Sequence, residues 1–229
     1  DHLISMLLNF RQAKGELAEI RGEAYLESDY KALLWRIHSV AGERYGSIPE
    51  PMREVIEAVA GGINHYIEVH ERVLPHWVEP VSGVDVVAFS RWINLLFSEY
   101  SGRSELAQKG LDTILTPELG SSQWAVGSSR SASGSPILVM DPHLPWDLPL
   151  LWYEAHLVSR EGLNVVGATF FGFPFIFMGH NDRMAWSLAV NEADGFDLYE
   201  ERLDPAIDAR RQFNITGKYR GTLCPLKPT

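Results

Sequence analysis

Cysteine is almost absent from this sequence of 229 residues, which contains a single one. One cysteine cannot pair within the chain, so a disulfide-stapled scaffold is excluded. Apolar runs of about 18 residues, which a membrane-spanning helix needs, are also missing. Basic residues are few, with 20 Lys and Arg against 30 Asp and Glu, and the formal net charge is −10. This balance argues against binding to nucleic acid or to anionic membranes.

Several common catalytic motifs are missing as well. The sequence has no G-x-S-x-G serine elbow, no H-E-x-x-H zinc motif, no P-loop lysine and no G-x-G-x-x-G fingerprint. The eight histidines are scattered along the chain, which is typical of surface or core histidines. Cys224 is followed directly by Pro225 and is a poor candidate for a nucleophile. A site of another kind is therefore needed if the protein is an enzyme.

The residues that are present form two halves of different character. Up to about residue 115, apolar residues recur at helical spacing. Pro49, Pro51 and the acidic residues around them are typical of a helix start. Further helices are predicted over 85–96 and 104–114. The hydrophobic share of 45% is large enough for a substantial core.

After Pro117 the chain becomes rich in Gly, Ser and Pro, and short apolar runs replace the helical pattern. Turn residues between these runs predict antiparallel strands. The runs 124–127 and 136–140 flank a Ser/Gly-rich segment and predict a hairpin, and further strands are predicted over 151–159, 164–171, 175–179 and 184–190. The sequence thus predicts an α+β fold, with a helical first half followed by a sheet.

Gly120 and Ser121 lie where the two halves meet, and they allow two interpretations. The simpler one is an ordinary loop. The sharper one is a cleavage site, because cutting between them would give Ser121 a free α-amine beside its own hydroxyl. An α-amine has an ordinary pKa of about 7.7–8.0, so it can act as a general base near neutral pH. Such a nucleophile needs no Ser-His-Asp triad.

A series of motifs in the second half resembles the penicillin acylase family of N-terminal nucleophile (Ntn) hydrolases, which includes penicillin, cephalosporin and acyl-homoserine-lactone acylases. Residues 1–119 resemble the later part of the small chain of that family. The motifs are GSSQWAV at 120–126, SASG at 131–134, DPHL at 141–144, WYE at 152–154, GHN at 179–181, AW at 185–186, and the acidic residues Asp194, Asp197 and Glu201.

The resemblance implies a four-layer αββα sandwich and a precursor that cuts itself between Gly120 and Ser121. Residues 1–120 would then form the small-chain part with the end of its spacer, and residues 121–229 would begin the large chain. The two pieces are expected to be one interlocked domain and a heterodimer made from one precursor. Ser122 departs from the asparagine that commonly follows the nucleophile in the family, and the assignment of Ser121 stands.

Roles for further residues follow from the same resemblance. His143 matches a histidine that hydrogen-bonds near the nucleophile, although a structural turn histidine is the alternative. Ala189 and Val190 match the strand whose backbone N–H stabilises the oxyanion. The second oxyanion donor of the family, an asparagine, and a nearby arginine are expected beyond residue 229. The chain is therefore interpreted as truncated, which the missing initiator methionine also favours.

A calcium site and an acyl pocket are implied in addition. Asp194 and Asp197, with Glu105 from the helical half, would supply the oxygen ligands that Ca²⁺ prefers, unless these acids form only a solvated turn. The candidate pocket residues are Leu144, Trp152, Phe173, Phe177 and Trp186. Ordinary core packing is the alternative interpretation of these residues.

Leu144 stands where penicillin G acylases carry an aromatic residue, which favours aliphatic or cyclic acyl groups. The function indicated is an amidohydrolase acting on a small acylated amine in the periplasm or outside the cell. No organic cofactor is expected. An inactive fragment or unprocessed precursor of such an acylase, or a non-catalytic binding module of an all-β family, remain the alternatives.

Overall fold

The computed structural model describes residues 2–108 and 120–189 of the chain. Its first part is helical and its second part consists of antiparallel strands, so the predicted α+β class is confirmed. The helices are α1 (Leu3–Lys14), α2 (Ala18–Arg21), α3 (Leu26–Leu34), α4 (Ile37–Tyr45), α5 (Glu50–His70) and α6 (Gly83–Gln108). The strands are β1 (Gly120–Val126), β2 (Ile137–His143), β3 (Trp152–Val158), β4 (Asn164–Phe170), β5 (Met178–His180) and β6 (Ala185–Trp186).

Helix ends follow the local sequence. The predicted start of α5 is confirmed, with Pro49 at its N-cap and a proline in its first turn, where a missing N–H costs nothing. Ser82 and Asp85 form a capping box at the start of α6: the main-chain N–H and hydroxyl of Ser82 donate to the Asp85 carboxylate, and the N–H of Asp85 donates to the Ser82 hydroxyl. The helix α1 ends at Gly15, whose φ of 81° favours glycine.

The helix α6 is the centre of the helical part. It packs against α1, α4 and α5 through the fully buried side chains of Phe89 and Trp92. Two helices were predicted here, over 85–96 and 104–114, but a single helix runs from Gly83 to Gln108. Residues 109–119 lie outside the described part of the chain.

The strands form two sheets. The strands β1 and β2 make the predicted hairpin, in which Ser121 lies opposite Pro142 and Gly120 opposite His143. The strands β3 to β6 form a second antiparallel sheet in sequence order. Gly167 and Gly179 lie opposite each other in β4 and β5, where a Cβ on either would meet the backbone of the other strand. Within the described ranges, no helix combines the length and apolar character that a membrane crossing needs.

The helices and the second sheet share one hydrophobic core. Leu150 and Phe170, both from the strand half, belong to the same buried cluster as Leu7, Phe10 and the α6 residues. Phe170 is fully buried. The helices therefore cover the part of the second sheet that includes Phe170.

Candidate active site

Gly120 and Ser121 open the first strand of the hairpin. Seven residue pairs fix the register between β1 and β2, which places the Gly120–Ser121 bond beside the last two residues of β2. The hydroxyl of Ser121 is half-buried and donates to the main-chain carbonyl of Gly120, with an Oγ–O distance of 2.5 Å. The predicted nucleophile thus contacts the carbonyl group of the predicted cleavage bond.

His143 ends the strand β2 and makes a hydrogen bond with Asp141 on the same strand. The Nε2 of His143 and the Oδ2 of Asp141 are 3.0 Å apart. One residue, Pro142, separates them, so their side chains lie on one face of the hairpin, with Gly120 opposite His143. Asp141 was part of a recognised motif, but it had not been singled out as a site residue. The i, i+2 spacing on a strand was the signal that could have found it.

The predicted pocket residues do come together in part. Leu144, Trp152, Phe173 and Phe177 pack against the buried core. The ring centroids of Trp152 and Phe177 are 5.6 Å apart, and those of Phe173 and Phe177 are 5.3 Å apart. Phe170, which belongs to no sequence motif, also lies in this cluster, with its ring centroid 4.1 Å from that of Trp152.

One polar atom in this aromatic cluster has no partner. The indole Nε1 of Trp152 is buried and makes no hydrogen bond to any residue in the described part of the chain. A buried donor of this kind costs about 1–3 kcal/mol of folding free energy unless it is satisfied. The cluster is therefore apolar, with one free donor inside it.

Trp186 stands apart from this cluster. It lies in β6, half-buried, and its Nε1 donates to the main-chain carbonyl of Ile176 at 3.4 Å. The predicted strand over 184–190 is shorter than expected, because β6 covers Ala185–Trp186. Ala189 is exposed and follows that strand. Val190, the other predicted oxyanion residue, lies outside the described residues.

Of the predicted calcium ligands, one lies within the described residues and two lie outside them. Glu105 lies in the last turns of α6, half-buried and engaged in an interaction. Asp194 and Asp197 lie outside the described residues. Among the described residues, no group of three or more His, Cys, Asp or Glu side chains is arranged to hold a metal.

Two of the ionisable groups with shifted pKa values are Tyr153, on β3, and Asp85, in the first turn of α6. Burial raises the pKa of Tyr153, whose ring stacks on Phe171 with 5.1 Å between centroids. Burial alone would also raise the pKa of Asp85, but hydrogen bonds from Ser82 and the Lys14 ammonium hold it below its usual value. The Nζ of Lys14 and the Nε2 of His38 both lie 2.9 Å from the Asp85 carboxylate. The buried Asp85 carboxylate therefore joins Lys14 of α1 and His38 of α4 to the start of α6.

The chain is similar to proteins that are named acyl-homoserine lactone acylases. It is 39% identical over 193 residues to the acyl-homoserine lactone acylase PvdQ of Pseudomonas syringae pv. tomato, a match that covers 71% of this chain and 25% of that protein. It is 31% identical over 184 residues to PvdQ of Pseudomonas fluorescens, covering 69% of this chain and 24% of the relative.

A broader match reaches most of the chain. The acyl-homoserine lactone acylase QuiP of Pseudomonas aeruginosa is 24% identical over 272 residues, covering 93% of this chain and 31% of that protein. The chain spans about a quarter of the length of the PvdQ relatives. A family model described as penicillin amidase matches residues 1–222. The chain belongs to the penicillin amidase family.

Proposed function

We propose that this chain carries the nucleophile of an acylase that hydrolyses the amide bond of an acyl-homoserine lactone or a related acylated amine. One observation carries the proposal: Ser121 is the second residue of a strand that begins at Gly120, and its hydroxyl donates a hydrogen bond to the carbonyl of Gly120. The family and the printed names of the PvdQ and QuiP relatives support the reaction class.

The nucleophile would be released by cleavage of its own precursor. The Ser121 hydroxyl attacks the Gly120 carbonyl carbon, and hydrolysis then separates the two residues. Residues 1–120 would become the end of the small chain and its spacer, and Ser121 would start the large chain. In this proposal residues 1–229 belong to a longer precursor, and the two products stay together as a heterodimer with the αββα fold of the Ntn hydrolases.

The reaction on substrate would use the new chain start. The α-amine of Ser121 accepts the hydroxyl proton as Oγ attacks the amide carbon, and it returns a proton to the leaving amine. The acyl group then sits on Oγ as an ester. Water attacks this ester, the carboxylic acid leaves, and Ser121 is regenerated.

The negative charge on the tetrahedral intermediate needs fixed donors. The backbone N–H at Ala189 and Val190 is the proposed donor from this chain, and one such donor is worth about 3 kcal/mol of transition-state stabilisation. His143 is proposed to act near the nucleophile, in line with its position opposite Gly120.

The acyl group would be bound by the apolar side chains that follow the hairpin. Leu144, Trp152 and Phe177 are the proposed lining, with Trp186 at its edge. Trp152 and Phe177 pack around Phe170, and this apolar surface supports an aliphatic or cyclic acyl group, because burial of apolar area is favourable. The free indole N–H of Trp152 would suit an oxygen on that group.

Calcium is proposed as a structural ion held by Glu105, Asp194 and Asp197. Carboxylate oxygens are the ligands that Ca²⁺ prefers, and a shared ion would hold residues from both halves together after cleavage. It takes no part in the chemical steps. A periplasmic or extracellular location is proposed from the family.

The experiment is to express the full-length protein and its Ser121→Ala variant and to sequence the chains obtained. We expect two chains from the parent, with the larger one beginning at Ser121, and one uncut, inactive chain from the variant. A panel of acyl-homoserine lactones and penicillins would then identify the substrate. An uncut parent chain with full acylase activity, or cleavage of the Ser121→Ala variant between Gly120 and its alanine, would refute the mechanism. A panel with no turnover would favour an inactive precursor or a binding module.

A further inference from the structure

The hydrogen bond between Asp141 and His143 fixes which nitrogen of the neutral imidazole carries the proton. An ionised carboxylate can only accept a hydrogen bond, so the Nε2 that lies 3.0 Å from Asp141 Oδ2 carries the proton. The other ring nitrogen, Nδ1, then holds a lone pair. No hydrogen bond to Nδ1 is made within residues 2–108 and 120–189. It is therefore free to accept a proton.

The strand register decides what this nitrogen faces. His143 lies directly opposite Gly120, on the same face of the hairpin. A Cβ added to Gly120 would lie 3.8 Å from His143 Nδ1, so the space beside that nitrogen is left open by the missing side chain. The imidazole is thus next to the residue that supplies the carbonyl of the cleavage bond.

The Ser121 side chain lies on the other face. Ser121 is opposite Pro142, and successive side chains on a strand alternate between faces. The imidazole is consequently in a poor position to take the proton of the Ser121 hydroxyl. It is in a better position to act on a water molecule that approaches the Gly120 carbonyl from its own side.

We propose that Asp141 is a positioning residue for the second step of self-cleavage, in which it holds His143 so that Nδ1 activates the water that hydrolyses the Gly120–Ser121 ester. This inference rests on the proposed function, because the ester exists only if Ser121 attacks Gly120. In this proposal the two steps take place on opposite faces of the hairpin. The Ser121 hydroxyl acts on one face and the His143 imidazole acts on the other.

The bonds and protons balance as follows. In the first step, Ser121 Oγ bonds to the Gly120 carbonyl carbon, the carbon–nitrogen bond breaks, and the hydroxyl proton ends on the freed amine. In the second step, a water oxygen bonds to the same carbon while Nδ1 of His143 takes one water proton. The bond from carbon to Ser121 Oγ then breaks, Oγ takes a proton from solvent water, the imidazolium gives its proton back to solvent, and Gly120 leaves as a carboxylic acid that ionises in water.

The experiment follows processing of the full-length precursor and uses hydroxylamine, which cleaves esters under conditions that spare amides. The variants are Asp141→Asn, His143→Gln and Ser121→Ala. The asparagine amide can donate as well as accept, so it no longer fixes which ring nitrogen carries the proton. His156→Gln is the matched control, because His156 is also an exposed strand histidine, with its Nε2 2.8 Å from Asn164 Oδ1.

We expect His143→Gln to slow appearance of the two chains by about 10²-fold, the lower range for loss of a general base, and Asp141→Asn to slow it less. In both, hydroxylamine should split the uncut chain between residues 120 and 121. The His156→Gln variant should process at the parent rate. Added imidazole should restore processing to a His143→Ala variant. This rescue tests the role of the imidazole even if Asp141→Asn folds poorly.

Two results would overturn the inference. One is an Asp141→Asn precursor that processes at the parent rate. The other is a folded Asp141→Asn or His143→Gln precursor that accumulates uncut and resists hydroxylamine, since the block would then precede ester formation. The proposed function fails by a different result, which is cleavage of the Ser121→Ala precursor between residues 120 and 121.

Discussion

The side-chain amide of Asn9 donates a hydrogen bond of 2.8 Å to the main-chain carbonyl of Phe171. The two residues are 162 positions apart, one in α1 and the other directly after β4. Asn9 is fully buried, and its Oδ1 has no partner among the described residues. This hydrogen bond therefore links the helical half to the strand half, and its two residues lie on opposite sides of the proposed cleavage site in the sequence.

Loss of this link should destabilise the protein. Asn9→Ala would leave the Phe171 carbonyl buried without a donor, and we expect the free energy of unfolding to fall by about 2 kcal/mol. The measurement is denaturant unfolding of the full-length protein. Asn94→Ala is the control, because Asn94 donates a similar bond to Ser90 on an exposed turn of α6, and it should cost less than about 0.5 kcal/mol. Equal losses in the two variants would contradict this prediction.

The Asp85 carboxylate should make stability depend on acid pH. Its pKa is lowered in the folded protein, so its contribution is present above the ordinary unfolded value of about 3.9 and is lost as the pH falls through the lower folded value. Asp85→Asn should thus destabilise strongly at pH 7, by about 3 kcal/mol, since it leaves Lys14 without its buried partner. The difference from the parent should shrink below pH 4.

Denaturant midpoints of both proteins at pH 7 and at pH 3 check this expectation. Glu43→Gln serves as the control, because Glu43 pairs with Arg36 at the surface. An exposed pair of this kind is worth under about 1 kcal/mol. A destabilisation by Asp85→Asn that is the same at both pH values would show that the charge is not responsible.

The aromatic cluster should set the length of the acyl chain. Phe177→Ala would enlarge the space beside Trp152 and Phe173, and we expect the ratio of kcat/KM for long over short acyl chains to rise by about tenfold. Stability should fall as well, because Phe177 packs on the core. Phe175→Ala is the control: Phe175 is an exposed aromatic neighbour, with its ring 6.4 Å from Phe173. If both variants change the ratio equally, Phe177 is only a core residue.

Calcium removal should lower the thermal midpoint of the full-length protein. An ion that binds only the folded state stabilises it by mass action, so a chelator should reduce the midpoint and added Ca²⁺ should restore it. The Glu105→Gln variant should start lower and respond less to both treatments. A midpoint that chelation leaves unchanged in the parent would remove the calcium site from the proposal.

Local signals in the sequence predicted much of the fold. The prolines at 49 and 51 marked the start of α5, and the turn residues after Ser128 marked the hairpin. The break predicted between residues 96 and 104 was wrong, although Gly102 disfavours a helix by about 1 kcal/mol relative to alanine. Glu99 forms an ion pair with Lys31 of α3 at 2.9 Å, and Gly102 is buried. Packing of this kind overrides local preference.

The position predicted for the strand after β4 was wrong because a tertiary contact, here too, overrides the local pattern. The run 175–179 has the apolar character of a strand, but β5 covers Met178–His180. Thr169 uses its hydroxyl to bond the carbonyl of Phe175 at 2.6 Å, which holds that residue in the loop. Such a side-chain contact cannot be read from apolar spacing alone.

The candidate site was predictable where neighbours in sequence are neighbours in space. Ser121 and His143 follow from motifs, and the hairpin brings them to adjacent positions. The pair of Asp141 with His143 follows from strand geometry once β2 is assigned. The bond from Asn9 to Phe171 had no such signal, because only the tertiary fold joins residues so distant in the chain.

The core shared by Phe170 and the helices has a consequence for assembly. If the chain is cut after Gly120, contacts that were internal become an interface between two polypeptides. The strength of these contacts then sets the dissociation constant of the two chains. Each product would then expose an apolar surface when alone. The two chains should therefore fail to reconstitute the enzyme when produced separately, because the uncut precursor is what folds them together.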